Sequence, residues 1–348
     1  MKYQNFFKIF LINIIIFFVC IFLIEIFFGS WFKNNFSYKL SSERNIYRVY
    51  KFNFSNYSGK SIYERNDNGF RVDGKSENTK EIDIVFAGGS TTAQKFLNFN
   101  DTIVNGLNKY FKKLKIVNAG IDGLSIKGHI NSFKFWFNKI EDLNPKYYIF
   151  YIGINDQNLL IKNSRSIDDF EESSLKGNIR EYLESNSFFY KNFRYLKAYM
   201  YLNYGFKKGA NIVNKNGVVY GERGNKSFKK YNEYNNINFL TSNYYKEYSE
   251  LLNKLTNIVK KKNSIPIYIT QIAGNGMNEE LYLAAETVID HCNKNQLRCI
   301  NLAKKINLEY GDFYDALHLN PSGSKKVTDF LIAELKVIFC NNQNLLCF

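Results

Sequence analysis

The stretch from Ile82 to Thr92, IDIVFAGGSTT, limits the fold more than any other part of the chain. Ile82 to Phe86 are mostly apolar and match a buried strand in length and residue type. They run into Ala87-Gly88-Gly89 and then Ser90. The glycines let the chain turn sharply and let another molecule approach the backbone. The pattern presents a hydroxyl at the edge of a parallel sheet. A glycine–serine turn alone is an ordinary loop, so its meaning depends on what the rest of the chain brings to it.

From residue 81 strand and helix patterns alternate. A helix is expected over Thr102 to Lys113 with Asp101 as its cap. A strand follows at Lys115 to Asn118, ending in Ala119-Gly120-Ile121-Asp122-Gly123, then a helix over Ile126 to Glu141. The next strand, Tyr147 to Ile152, ends in Gly153-Ile154-Asn155-Asp156. Later come a helix from Thr241 or Ser242 to Val259, a strand at Pro266 to Thr270, a helix at Glu279 to Asn293 and a strand at Cys299 to Leu302. Asn320 caps a last helix with Pro321 at its first position. Such alternation implies a parallel sheet covered on both faces. Ligands of these sheets bind beyond the carboxyl ends of the strands. The turns carrying Ser90, Gly123 and Asn155 would therefore share one rim. Residues 157–240 break the alternation. They are too long for a plain loop and read as an insertion beside the site, a lid or substrate wall, with a linker or disordered excursion as the alternative.

The N-terminal part is different. Ile9 to Phe28 is almost continuously apolar and has the length of a bilayer-spanning helix. It lacks the shorter apolar core and small-residue cleavage site of a signal peptide. The expectation is an uncleaved single-pass anchor over residues 1–30, with Glu25 near the interface and Trp31 and Phe32 in the aromatic belt. Residues 31–80 show no clean period and read as a stalk that packs onto a domain at 81–348. Asn66-Asp67-Asn68-Gly69 is a turn signal. Lys2 and Lys8 favour the N-terminus inside, whereas Lys33, Lys39, Arg44 and Arg48 follow the span. The paired cysteines and the chemistry below suit a domain outside the cytoplasm, so the N-terminus is expected inside.

The net charge of +15 would suit a nucleic-acid partner only if it were gathered into a stripe. The lysines are scattered, so no such partner is expected. Cys292/Cys299 and Cys340/Cys347 are two equally spaced pairs, which permit two local disulfides or four free thiols. A zinc site at Asp290, His291, Cys292 and Cys299 lacks a paired CxxC motif. No metal or other cofactor is expected.

The partner of Ser90 lies just before the last helix, in Asp315-Ala316-Leu317-His318. A serine hydroxyl is a weak nucleophile until a base takes its proton. Histidine does so when a carboxylate fixes its tautomer. Three residues apart, Asp315 can reach one ring nitrogen of His318 while the other faces Ser90. The remaining histidines, His129 and His291, fall in helices and read as structural. Oxyanion donors would be the Ser90 and Gly123 N–H groups and the Asn155 amide.

Four short blocks stand in order: GGST at 88–91, NAGIDG at 118–123, GIND at 153–156 and DALH at 315–318. Together the chain resembles the SGNH hydrolases, the GDSL-type esterases and lipases, over roughly 81–339 outside the insertion. The resemblance implies a three-layer α/β/α sandwich with a mainly parallel, flavodoxin-like five-stranded sheet. It makes Ser90 the nucleophile, His318 the base, Asp315 its carboxylate, and Ser90, Gly123 and Asn155 the oxyanion hole. In one departure, Gly89 replaces the family's aspartate before the serine, and the hydrogen bonds of that carboxylate are lost with it. Membrane-anchored bacterial relatives look alike here, and in the Asn66-x-x-Gly69-x-Arg71 segment. The implied activity is hydrolysis of small O-acyl esters, acetyl above all, on envelope or extracellular carbohydrate. Rivals are an acyltransferase with the same triad, a lipid esterase with an acyl channel walled by Phe188, Phe189 and Tyr199, and a binding protein that kept the fold.

Overall fold

The computed structural model describes residues 2–32, 43–54, 56–74, 78–157, 159, 168, 179, 182–183, 186–204, 212–216 and 228–339. About half of the expected insertion at 157–240, and the pair Cys340/Cys347, lie outside the described residues.

The elements are α1 (Lys2–Phe28), β1 (Ile46–Asn53), β2 (Ser58–Arg65), β3 (Arg71–Val72), β4 (Ile84–Gly88), α2 (Ser90–Ala93) and α3 (Ile103–Tyr110). There follow β5 (Ile116–Gly120), α4 (Ile126–Phe135), β6 (Tyr147–Tyr151), α5 (Phe188–Tyr204) and β7 (Ile212–Asn216). The chain continues with α6 (Asn243–Lys261), β8 (Ile265–Ile269), α7 (Glu279–Asn295), β9 (Arg298–Ile300), α8 (Leu302–Lys305) and α9 (Pro321–Phe339). One sheet runs β7-β1-β2-β3-β5-β4-β6-β8-β9. Its parallel part, β5-β4-β6-β8-β9, is the flavodoxin-like order. The five strands of the expectation are this core alone. The sheet continues through β3, β2 and β1, each antiparallel to its neighbour, and β7 lies parallel to β1.

Side-chain alternation makes the three layers. Ile84 and Phe86 of β4 join a core with α3 and α9, through Leu107, Val327 and Leu331. Val85 and Ala87 point the other way, into a core with Phe133 of α4 and Tyr248 and Leu252 of α6. Burial on both faces explains why these strands read as apolar runs.

The described residues 43–54 and 56–74 of the expected stalk are instead part of the domain. Within them β1, β2 and β3 extend the sheet, and their aromatic residues form a third cluster with Ala93, Phe96 and Tyr314. The Asn66 side chain accepts from the Asn68 and Phe70 amides at 3.1 and 2.9 Å, closing the expected turn. Gly69 has a φ of +83°, and a side chain there would press on Trp136. Trp136 leaves helical geometry and donates its indole N–H to Asn68 O at 2.7 Å. That ends α4 at Phe135, before the expected Glu141. Thr102, not Asp101, caps α3, because its hydroxyl accepts from Asn105 N.

α1 exposes apolar side chains along its length, and Phe6–Phe28 is long and apolar enough to cross a bilayer; a signal sequence meets the same measure. Glu25 accepts from the Phe188 and Phe189 amides at 2.9 and 3.2 Å and from Ser187 and Trp31 side chains. It thus caps the start of α5. Phe188 packs on Phe28, and Phe189 and Tyr199 are exposed.

Two stability predictions follow from buried polar groups. The Arg71 guanidinium donates to the carbonyls of Ala93, Gln94 and Leu97 at 2.5–2.7 Å. Arg71→Met should cost about 3 kcal/mol, since three buried acceptors lose a charged donor; a thermal melt several degrees below the parent would show it. His129 is buried with neither ring nitrogen hydrogen-bonded, and burial lowers its pKa to about 3. Above its ordinary value of 6.5 it adds no pH dependence. Between pH 6.5 and 3 the unfolded chain takes a proton that the fold excludes, so stability falls. His129→Leu should show a smaller drop in melting temperature between pH 7.5 and 5 than the parent.

Candidate active site

The serine turn is built where β4 stops. Gly88 pairs with Gly120 of β5 and Tyr151 of β6, so the three strands end level. A side chain on Gly88 would collide with Thr92 and crowd the Tyr151 carbonyl, so the chain turns there without one. Ser90 opens the single turn α2. Every following residue of that turn is tied down. Gln271 Nε2 donates to Thr91 Oγ1 at 2.7 Å, Asn118 Nδ2 donates to Thr92 O at 2.8 Å, and Arg71 holds the carbonyls of Ala93 and Gln94. Gln94 itself accepts from Ile103 N at 2.9 Å.

His318 reaches Ser90 from the loop before α9. Asn320 caps that helix by accepting from Gly323 N at 3.0 Å, and Tyr314 N donates to His318 O at 2.9 Å. The loop between is short and closed. His318 Nε2 lies 2.7 Å from Ser90 Oγ. Its Nδ1 lies 2.8 and 2.9 Å from the two oxygens of Asp315. Asp315 also accepts from the Leu317 and His318 amides, at 2.8 and 2.7 Å. A carboxylate only accepts, so Nδ1 carries the proton and the Nε2 lone pair faces the serine hydroxyl. Asp315 is fully buried, His318 nearly so, and Ser90 is 9% exposed. Phe54, Tyr314 and His318 form a parallel stack, with centroids 4.8 and 5.5 Å apart.

The other two rim turns flank this line. Gly123 follows β5 with a φ of +79°. Asn155 sits in the turn after β6, and its Nδ2 donates to Leu124 O at 3.0 Å, the residue next to Gly123. That nitrogen also lies against Gly89, beside Ser90. Two groups hold the Asn155 turn. Gln271 Oε1 accepts from Ile154 N at 2.8 Å. Asp156 accepts from Gly153 N, Ile126 N and the Tyr248 hydroxyl at 3.0, 2.7 and 3.0 Å. Burial nonetheless pushes the Asp156 carboxyl up to about 6. Gln271 stands outside the four sequence blocks. Its signal was position: it is polar and comes two residues after Ile269, at the carboxyl end of β8, where rim residues belong.

The family model of the GDSL-like lipases and acylhydrolases matches residues 53–331. The chain belongs to that family. It is accordingly an ester hydrolase by class. No curated protein matches it. Similar solved structures include a lipolytic protein of the G-D-S-L family from Desulfitobacterium hafniense, at 10% identity and TM-score 0.42, covering 72% of this chain and 99% of that one. A G-D-S-L family member from Veillonella parvula has 11% identity and TM-score 0.40, over 74% and 98%. A mutant of an acetylxylan esterase from Geobacillus stearothermophilus has 13% identity and TM-score 0.40, over 72% and 93%.

The remaining candidates of the sequence go elsewhere. His291 Nε2 meets Thr256 Oγ1 at 2.9 Å in the core. Asp290 pairs with Lys294, and Cys292 is bonded to Cys299, so the four zinc candidates serve separate partners. Asp168, inside the expected insertion, accepts from the amide and hydroxyl of Ser125, both at 2.8 Å, and Ser125 is the residue that caps α4.

Gly89 has a physical account in this GDSL-type site. Its φ of −85° suits any residue, but a Cβ there would collide with the Asn155 amide nitrogen. Gly89→Asp should displace Asn155 and lower kcat for a p-nitrophenyl ester by about 10²-fold, with the melting temperature within a few degrees of the parent. Unchanged kcat would show that Asn155 is not needed at its present position.

Proposed function

We propose that this protein is a serine esterase that removes small O-acyl groups, acetyl above all, from envelope or extracellular carbohydrate. The observation that carries the reaction is the continuous Asp315–His318–Ser90 line, with contacts of 2.8 and 2.7 Å. Ser90 Oγ attacks the ester carbonyl while its proton passes to His318 Nε2. Asp315 stabilises the imidazolium. The oxyanion is held by the N–H groups of Ser90 and Gly123 and by the Asn155 amide, whose bond to Leu124 O fixes how it faces. His318 returns the proton to the leaving alcohol, and an acyl-serine remains. Water then attacks this ester with His318 as base, and the acid leaves. The cycle calls for no metal or cofactor.

The substrate part rests on location. With α1 as a single membrane span and the N-terminus inside, the domain faces the compartment where O-acylated polysaccharide lies. A sugar hydroxyl in place of water would turn the same acyl-serine into a transferase. A binding protein that merely kept the fold would not need a base within reach of Ser90.

The test is turnover of p-nitrophenyl acetate and longer-chain esters by the full chain in detergent, with Ser90→Ala and His318→Ala beside it. Both variants should lose at least roughly 10⁴-fold in kcat, and acetate should be the preferred acyl group. Equal turnover in all three proteins would sink the triad assignment. A product that appears only with added glycan would identify the transferase.

A further inference from the structure

The helix α5 carries an apolar face that the fold leaves uncovered. Phe189, Phe193 and Leu196, spaced i, i+4 and i+7, lie on one side and are 38%, 64% and 56% exposed. The opposite side is occupied: Tyr195 packs on Tyr47 of β1, and Lys191 Nζ donates to Asn45 Oδ1 at 2.9 Å. This face starts where α1 ends. Glu25 of α1 accepts from the first two amides of α5, Phe28 packs on Phe188, and Ser30 N donates to Asn186 O at 2.8 Å. The last residues of α1, Phe27 and Phe28, are themselves exposed. Apolar surface thus continues from one helix onto the next. Cations stand at its border: Lys197 Nζ is over the Phe193 ring and the Arg194 guanidinium is over the Tyr190 ring, each at 5.8 Å.

We propose that α5 is an interfacial helix, lying along the bilayer with Phe189, Phe193 and Leu196 among the upper acyl chains and Arg194 and Lys197 at anionic headgroups. The inference rests on α1 being a membrane span. Given that span, the junction fixes the start of α5 at headgroup depth. A helix leaving that point with a phenylalanine-rich stripe and flanking cations has the make-up of helices that settle at this boundary. Water is the alternative surround for the stripe, and it would leave three large apolar side chains hydrated next to lipid. With α5 lying flat, the β1–β2 hairpin it packs against is held next to the membrane, so the bilayer becomes one wall of the approach to the domain.

The full chain, reconstituted into phosphatidylcholine–phosphatidylglycerol vesicles with brominated acyl chains, tests this. Only Trp31 and Trp136 are native, so an added tryptophan is read as emission above the parent. Phe193→Trp reports the stripe, at a site exposed enough not to disturb folding. Phe17→Trp reports the span. Ile265→Trp, on β8 and separated from β1 by five strands, reports the body of the domain. Bromines near the headgroups should remove roughly half of the Phe193→Trp signal and bromines at the chain ends less, matching a depth of about 5–10 Å. Ile265→Trp should be unaffected, and deep bromines should quench Phe17→Trp. An unquenched Phe193→Trp beside a quenched Phe17→Trp overturns the interfacial helix and leaves the span standing. No quenching at either position overturns the span, and this inference with it. Concentration-dependent quenching by a second copy in lipid without bromine would instead make the stripe a dimer contact.

Discussion

The backbone ladder that joins β4 to β5 and β6 is the constraint on which the site depends. Because Gly88 is in register with both Gly120 and Tyr151, the turns of Ser90, Gly123 and Asn155 leave the sheet at one height. A slip of one residue would move Val85 and Ala87 into the core made for Ile84 and Phe86. Both faces are packed, so the register has no freedom. The side-chain bonds at the rim then work on an already aligned set. Gln271 links the serine turn to the Asn155 turn, and Leu124 O links the Asn155 turn to the glycine turn.

The hairpin ahead of the α/β repeat belongs to the same apparatus. Arg71, at the end of that segment, closes the carbonyls of α2, and the hairpin's Phe54 stacks on Tyr314, which stacks on His318. Asn56 adds a bond to Phe313 O at 2.8 Å. One small aromatic cluster therefore touches both the turn that presents the hydroxyl and the loop that presents the imidazole. It fixes the separation between two groups that lie 228 residues apart.

The repeat, its parallel order and the rim were legible because each strand is buried on both faces and ends in a glycine or polar turn. The four blocks stand at those strand ends and in the loop before the last helix, so they share that legibility. The hairpin was not legible. In β1, IYRVYKFN, burial does not alternate, since α5 and β7 cover parts of it that a free edge would expose. Its aromatic residues thus look like any aperiodic stretch. Trp136 hid the end of α4 because only its distant partner, Asn68, explains why it leaves the helix. Gln271 belongs to no short motif; its two bonds go to residues far away in sequence. The role of Glu25 was equally invisible, because its partners at 187–189 come 162–164 residues later.

The closure between the hairpin and the His318 loop has a consequence for the making of the protein. The serine turn is synthesised in the first third of the chain, and the Asp315–His318 pair that meets it arrives much later. Until Tyr314 and His318 emerge, Phe54 and Phe96 have no lid, and the Ser90 hydroxyl lacks its imidazole contact. On the proposed triad, a growing chain therefore stays silent toward esters until residue 318 has emerged and docked.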